Sequence, residues 1–237
     1  MPTFELAERD GWLYLHYPGL TDSGVVHGFL LKTSTRIVAD RVERQRFTEA
    51  FGAVSSVIMR QVHGNTVHVV RDGERPKEGD GLIVLERNIA AVVKTADCLP
   101  ILLHAPDVAC AAAIHAGWRG TTQGIVEEAL RSMVALGANT ECMMALLGPG
   151  IGPCCYEVRE DVRQAFQEAG FEGSVFQTRG DRLFLDLKRA NRLLLERAGV
   201  RQIHDTGLCT YCREDLFHSA RRDGSGGRQV NFVMLRG

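Results

Sequence analysis

Residues 89–120 read IAAVVKTADCLPILLHAPDVACAAAIHAGWRG, and the pattern of this stretch decides the fold. Ile89 to Lys94, Ile101 to His104 and Val108 to Ile114 are short runs of β-branched and small residues, separated by Thr95-Ala96-Asp97-Cys98 and by Ala105-Pro106-Asp107. Continuous apolar runs of this length suit strands that are covered on both faces. We therefore expect adjacent buried strands joined by tight loops. Before them, Phe4–Leu6 and Trp12–His16 flank Asp10-Gly11, a pair that tolerates positive φ and suits a hairpin. Asp40–Phe51 patterns as a surface helix stopped by Gly52, and Ser56–Gln61 and Thr66–Val70 read as strands around His63-Gly64-Asn65. After them, Ile125–Leu136 is helical with Gly137 as its stop, and Met143–Leu147 is a strand entering a glycine and proline loop at 148–153. Asp161–Ala169 and Asp186–Ala198 follow as helices and Gln229–Leu235 as a last strand. Strands outnumber helices, which predicts an α/β or α+β fold with a mixed β-sheet.

The 237 residues are 45% hydrophobic and 24% charged, with a formal net charge of −1. That composition supports a sizeable core and excludes a disordered tail, a nucleic-acid coat and a membrane-surface helix. No repeat or linker divides the chain, so residues 1–237 are expected to form one domain. Met1–Tyr17 has no basic segment leading into an apolar run, and no window has the length of a membrane span. The seven cysteines are odd in number and irregularly spaced, unlike a secreted disulfide framework, and a reducing cytoplasm is the expected location.

Three loops each place one metal-ligand residue beside a strand end: His63, Cys98 and His115. Two imidazoles and a thiolate would give a zinc site with its fourth position open, as catalytic zinc requires. Taken singly, such a residue is more often a hydrogen-bonded core histidine or an inert buried thiol, and spacing alone does not unite the three. Cys209-Thr-Tyr-Cys212 has chelating spacing, but the only partner for a four-ligand site is the adjacent pair Cys154-Cys155. Both pairs are therefore read as packing or substrate-loop residues, and Cys110 and Cys142 as core. Arg221, Arg222 and Arg228 bracket a glycine-rich turn, usually a solvated loop but also suited to phosphate.

The motifs His27-Gly28-Phe29, Gln61-Val62-His63-Gly64, Asp80-Gly81-Leu82-Ile83, Thr95-Ala96-Asp97-Cys98-Leu99-Pro100, His115-Ala116-Gly117-Trp118-Arg119-Gly120, Gly148-Pro149 with Cys154, Tyr156-Glu157-Val158, and Arg221-Arg222 with Gly227-Arg228 occur in one order. In these residues the chain resembles the multicopper polyphenol oxidase or laccase-domain family, now described as purine nucleoside phosphorylases of the YfiH and FAMIN type. The resemblance implies a layered αββα-type domain with zinc on His63, Cys98 and His115. It also implies phosphorolysis of adenosine, inosine and 5'-methylthioadenosine, with adenosine deamination as a side activity. The expected partners are a purine nucleoside and phosphate, with no nucleic acid and no membrane, the chain being a monomer or weak dimer.

Beside the ligands, Asp97 is the candidate proton carrier, its alternative being a carboxylate that caps its own loop. Arg119, Arg228, Gln61 and Phe29 are expected at the substrate, with Trp118 packing its turn. The family's arginine and glycine-rich stretch after the His-Gly-Phe motif is replaced by Leu30-Leu31-Lys32-Thr33, leaving Lys32 or Arg36 as substitutes. The signature of the zinc nucleobase deaminases is absent, as are P-loop, nucleophile-elbow and zincin motifs. Competing readings are a copper-dependent polyphenol oxidase, since the ligand types also suit copper, a peptidoglycan-precursor editing enzyme, and a non-catalytic metal-stabilised binding module.

Overall fold

Along the central runs, successive side chains face two different cores. In the computed structural model, which describes residues 3–32, 41–71, 74–171, 173–224 and 226–237, the elements in chain order are β1 (Glu5–Arg9), β2 (Trp12–His16), α1 (Pro18–Thr21), β3 (Val25–Leu30), α2 (Arg41–Phe51), β4 (Ser55–Ile58), β5 (Val67–Val70), β6 (Gly81–Val84), β7 (Ile89–Thr95), β8 (Leu99–Ala105), β9 (Cys110–Ala116), α3 (Trp118–Thr122), α4 (Ile125–Ala135), β10 (Met144–Leu147), β11 (Glu157–Val158), α5 (Glu160–Glu168), β12 (Phe176–Arg179), β13 (Arg182–Leu185), α6 (Leu187–Arg197), β14 (Gln202–Asp205), α7 (Ala220–Asp223) and β15 (Gln229–Leu235). They form two six-stranded sheets, β1-β2-β3-β15-β7-β4 and β14-β10-β8-β9-β6-β5, with a small sheet β11-β13-β12 beside them. Both large sheets mix parallel and antiparallel pairs.

The two large sheets pack face to face. Ala91 and Val93 of β7, Leu102 of β8 and Ala111 and Ala113 of β9 share the apolar layer between them. Their neighbours point outward: Ala90 and Val92 join Phe47 and Phe51 of α2, while Ile101, Leu103, Ala112 and Ile114 join residues of α4, α5 and α6. The layering is thus helix, sheet, sheet, helix, as the resemblance implied. The expected hairpin forms, with Arg9 opposite Trp12 and both Asp10 and Gly11 at positive φ.

One expectation needs correction. Sequential strands were expected to neighbour one another, yet β7 and β8 lie in different sheets, as do β4 and β5. The loops at 59–66 and 96–98 are crossovers between the sheets. Because Leu99 pairs with Ala116 and Gln229 with Thr95, the 96–98 crossover, the end of β9 and the start of β15 meet at one end of the sandwich. The ligand residues sit there because the chain changes sheets there.

Candidate metal centre and active site

His63, Cys98 and His115 converge: their ligand atoms lie within 4.8 Å of one another. The set runs from surface to interior, with His63 exposed, Cys98 half-buried and His115 buried. The two imidazole rings meet edge to face at 4.8 Å between centroids.

Asp80 holds two of the three ligands in place. This fully buried carboxylate accepts the backbone N–H groups of Val62 (3.2 Å) and Gly64 (2.8 Å) on Oδ2, and that of His63 (3.0 Å) together with His115 Nδ1 (2.8 Å) on Oδ1. It therefore shapes the loop that carries His63, whose φ is +61°, and fixes the orientation of the His115 ring. With Nδ1 so engaged, Nε2 of His115 is the nitrogen left for a metal, the usual second partner of a ligating imidazole. Gly117 completes the close approach, since a Cβ there would lie 3.1 Å from Cys98 Sγ and 3.3 Å from His63 Cδ2.

The electrostatics suit a cation. Burial alone would push the Cys98 thiol up, but hydrogen bonds from His115 and His63, and their charges, overcome it and bring it down to about 6. Burial would likewise lower His115, yet its bonds to Asp80 and Cys98 raise it to about 9. Burial also works to raise Asp80, and the His115 bond and the Gly64 and His63 N–H groups outweigh it, so the carboxyl stays below its ordinary range. A cation here would replace the proton shared by a thiolate and an imidazole. By donor type and second partner, the three residues fit zinc.

The triad lines a cavity of about 500 Å³, within the size range of small-molecule sites. Arg60, Lys94, Arg221 and Arg228 also reach it, and Asp97 is the one carboxylate among its lining residues. Burial and the charge of Arg228 both lower the Lys94 ammonium. Both side chains line the cavity, and Arg228 also donates to the Gly227 carbonyl (2.7 Å). Arg60 is paired with Glu78, and Arg221 donates to the Glu157 carbonyl (2.8 Å) while lying over the Tyr156 ring.

The remaining sequence-derived residues separate. Gln61 lines the cavity, but its Oε1 accepts from Lys94 N–H (2.8 Å) and its Nε2 donates to Lys94 O (2.7 Å), so its amide positions Lys94. Asp97 also lines the cavity, yet Oδ1 accepts from Thr210 Oγ1 (2.7 Å) and Oδ2 from Ser219 Oγ (3.0 Å) and Arg221 N–H (2.7 Å). These bonds tie its loop to the C-terminal segment. Arg119 stacks on Trp118 (4.4 Å) in an adjoining cleft that shares Tyr156 and Arg221 with the cavity. Phe29, expected at the substrate, is fully buried between the sheets against Phe4, because its strand turns that side chain inward. Arg222 is a staple rather than a cavity residue, donating to the carbonyls of Thr210, Tyr211 and Phe217. Lys32 bonds the Glu214 carbonyl, and Arg36 lies outside the described residues. The sequence reading gave no role to Asp80, Lys94, Arg60 or Tyr156. A motif signal existed for Asp80 and Tyr156, which stand within the quoted family stretches, but none for Lys94 inside its apolar run.

The fold and this ligand set define a laccase-domain protein, and the chain belongs to that family: the sequence model described as "Multi-copper polyphenol oxidoreductase laccase" matches residues 33–236. Among its relatives, a Deinococcus radiodurans protein named "Purine nucleoside phosphorylase" is 40% identical over 202 residues, covering 84% of this chain and 78% of its own. The Escherichia coli "Purine nucleoside phosphorylase YfiH" is 35% identical over 201 residues, 83% of this chain and 82% of its own. The crystal structure of YlmD from Geobacillus stearothermophilus superposes over all of both chains with a TM-score of 0.88 at 30% identity. That of the Bacillus licheniformis protein YfiH gives 0.88 at 27%, covering 98% of this chain and 99% of its own. No helix of the described residues is long and apolar enough to cross a membrane.

Proposed function

We propose that the chain is a zinc-dependent purine nucleoside phosphorylase, converting adenosine, inosine or 5'-methylthioadenosine and phosphate to free base and ribose 1-phosphate. The observation that carries this reading is the meeting, in one cavity, of the His63, Cys98 and His115 set with the Lys94 and Arg228 pair. The names of the relatives support it, and so does the demand of the chemistry for an anion site beside an electrophile.

In this reading Arg228 and Lys94 bind phosphate, Gln61 holding the Lys94 backbone in place. Their charge screens the phosphate and brings one oxygen to C1′ of the ribose. That oxygen forms the new bond as the bond from C1′ to the base breaks, and the electron pair departs with the base. Tyr156, whose hydroxyl burial keeps protonated, donates a hydrogen bond to the charge developing on the base. His63, Cys98 and His115 would hold the zinc, which would supply Lewis acidity to the cavity when bound. Asp97, already holding Thr210, Ser219 and Arg221, serves as a positioning residue for Arg221 and the cavity wall.

The test is to incubate metal-replete protein with inosine or adenosine, with and without phosphate, and to measure free base and ribose 1-phosphate. Phosphate-dependent release of both is expected. Lys94→Ala and Arg228→Ala should each raise the KM for phosphate by about 10-fold or more, the scale of a lost charge-assisted hydrogen bond. Base release that ignores phosphate, or none at all, would overturn the proposal. Conversion of adenosine to inosine without base release would instead identify a deaminase. The copper-oxidase reading fares worse: among the described residues only His63 and His115 of the histidines join a metal-ligating group.

A further inference from the structure

A second group of ligands lies away from the triad. Cys154, Cys155, Cys209 and Cys212 gather their sulfurs within 4.8 Å of one another, although the two pairs are far apart in sequence. The two pairs, read from the sequence as packing or substrate-loop residues, come together because two turns fold onto each other. One turn runs through Gly152, whose carbonyl accepts the N–H groups of Cys155 (3.0 Å) and Tyr156 (2.9 Å). The other closes with Arg213 N–H on Cys209 O (3.0 Å). Thr210 N–H joins them by bonding Gly150 O (3.1 Å).

We propose that these four cysteines form a structural zinc site, a closed tetrathiolate separate from the catalytic triad. Zinc bound to four sulfurs at about 2.3 Å separates them by about 3.8 Å along each tetrahedral edge. Cys212 Sγ stands 3.6 Å from Cys154 Sγ and 3.4 Å from Cys155 Sγ, close to that spacing before any ion is considered. Gly152 N–H points at Cys209 Sγ (3.2 Å), the kind of backbone donor that supports a coordinated thiolate. Gly152 packs closely on the cluster, since a Cβ there would lie 3.2 Å from Cys154 Sγ and 3.4 Å from Cys209 Cβ. Zinc is favoured over other thiophilic ions because its filled d shell imposes no geometry, so it accepts a vicinal pair beside a Cys-x-x-Cys. Each of these thiols releases its proton on binding.

The consequence is mechanical. The first turn leads into Tyr156 and the second carries Thr210, which bonds Asp97, so an ion here would fasten the wall of the cavity.

The experiment counts metal in protein purified under reducing, anaerobic conditions. Wild type should hold two zinc ions per chain. The variant His63→Ala/Cys98→Ser/His115→Ala should keep one and, after cobalt exchange, show the intense sulfur-to-cobalt charge-transfer bands of a tetrathiolate. Cys209→Ser/Cys212→Ser in the same background should lose that ion. Should these variants fail to fold, X-ray absorption on wild-type zinc decides: a mean sulfur count between the four of this site and the one of the triad supports the proposal. A mean of one sulfur with a single zinc overturns it, as does iron in place of zinc or a disulfide among the four cysteines.

Discussion

Replacing the Asp80 carboxylate by an amide probes how the ligand set is held. Asn would keep the shape, but one end would become a donor facing either the N–H groups of Val62 and Gly64 or those of His63 and His115. Asp80→Asn should lower zinc affinity about 10- to 100-fold, as the loss of such a partner does elsewhere. It should also cost about 1–3 kcal/mol of stability for the donors left unpaired. Competition against a chromophoric chelator, with urea unfolding, measures both; unchanged affinity would mean that packing alone orients His115. The ligands themselves were legible in the sequence because each stands in a distinctive loop. Asp80 stood in a quoted motif, but its role was not legible, since an aspartate between glycines reads as a turn until its four donors are assembled from elsewhere in the chain. Lys94 was hidden for a different reason. A lysine in an apolar strand looks like an edge residue, and only its position near Arg228 at the crossover gives it a task.

At the scale of elements, the corner between α1 and β3 depends on a histidine that must stay neutral. His27 Nε2 accepts the N–H of Tyr17, the residue preceding α1, at 2.9 Å in a buried setting. Burial lowers its pKa from 6.5 to about 3, against the bond to the Val25 carbonyl, with the charges of His16 and His104 pressing the same way as burial. Because the folded value lies below the unfolded one, the stabilisation is complete above pH 6.5. It is lost as the pH falls toward 3, the unfolded chain taking up a proton that the folded chain refuses. The slope for that proton is about 1.4 kcal/mol per pH unit. His27→Gln should flatten the acid limb of a stability profile measured by denaturant unfolding from neutral to acid pH, whereas an unaltered limb would move the effect to other groups. Element ends were readable where punctuation is strong: Gly52 and Gly137 follow α2 and α4 at positive φ, and Asp186 caps α6 by accepting from Arg189 N–H (2.9 Å). The short strands β11 to β13 were not, since β11 has two residues, β12 is mostly exposed and β13 buries only its last two residues, so none carries an apolar alternation long enough to read. Cys142, read as core, is exposed, for it sits in a single polar turn before β10.

For the whole molecule, the apolar runs pointed to strands buried on both faces and the resemblance to two sheet layers, but which strands go to which sheet was not readable, because β7 and β8 have the same apolar pattern in either arrangement. That division has a consequence for metal removal. The three apolar layers, between α2 and the first sheet, between the sheets, and between the second sheet and its helices, are formed by apolar side chains of the sheets and helices. The triad lies at the end of the sandwich, His63 and Cys98 on the crossover loops and His115 near the end of β9, where the layers position it. Stripping zinc should therefore abolish turnover while leaving the far-UV circular dichroism of the folded chain. Its thermal cost follows from mass action: a site held at a thousand-fold excess over its Kd contributes about 4 kcal/mol. For a chain of this size that corresponds to a fall in Tm on the order of 10 °C. A tetrathiolate site at the second cluster would deepen the fall and add loosening of the 152–156 and 209–213 turns, visible as faster amide exchange there, without reaching the layers. Cooperative loss of the circular dichroism signal in chelator at room temperature would be the opposite result. It would show that metal is part of the folding free energy, and would favour a metal-stabilised binding module over an enzyme whose ion is held by a prefolded frame.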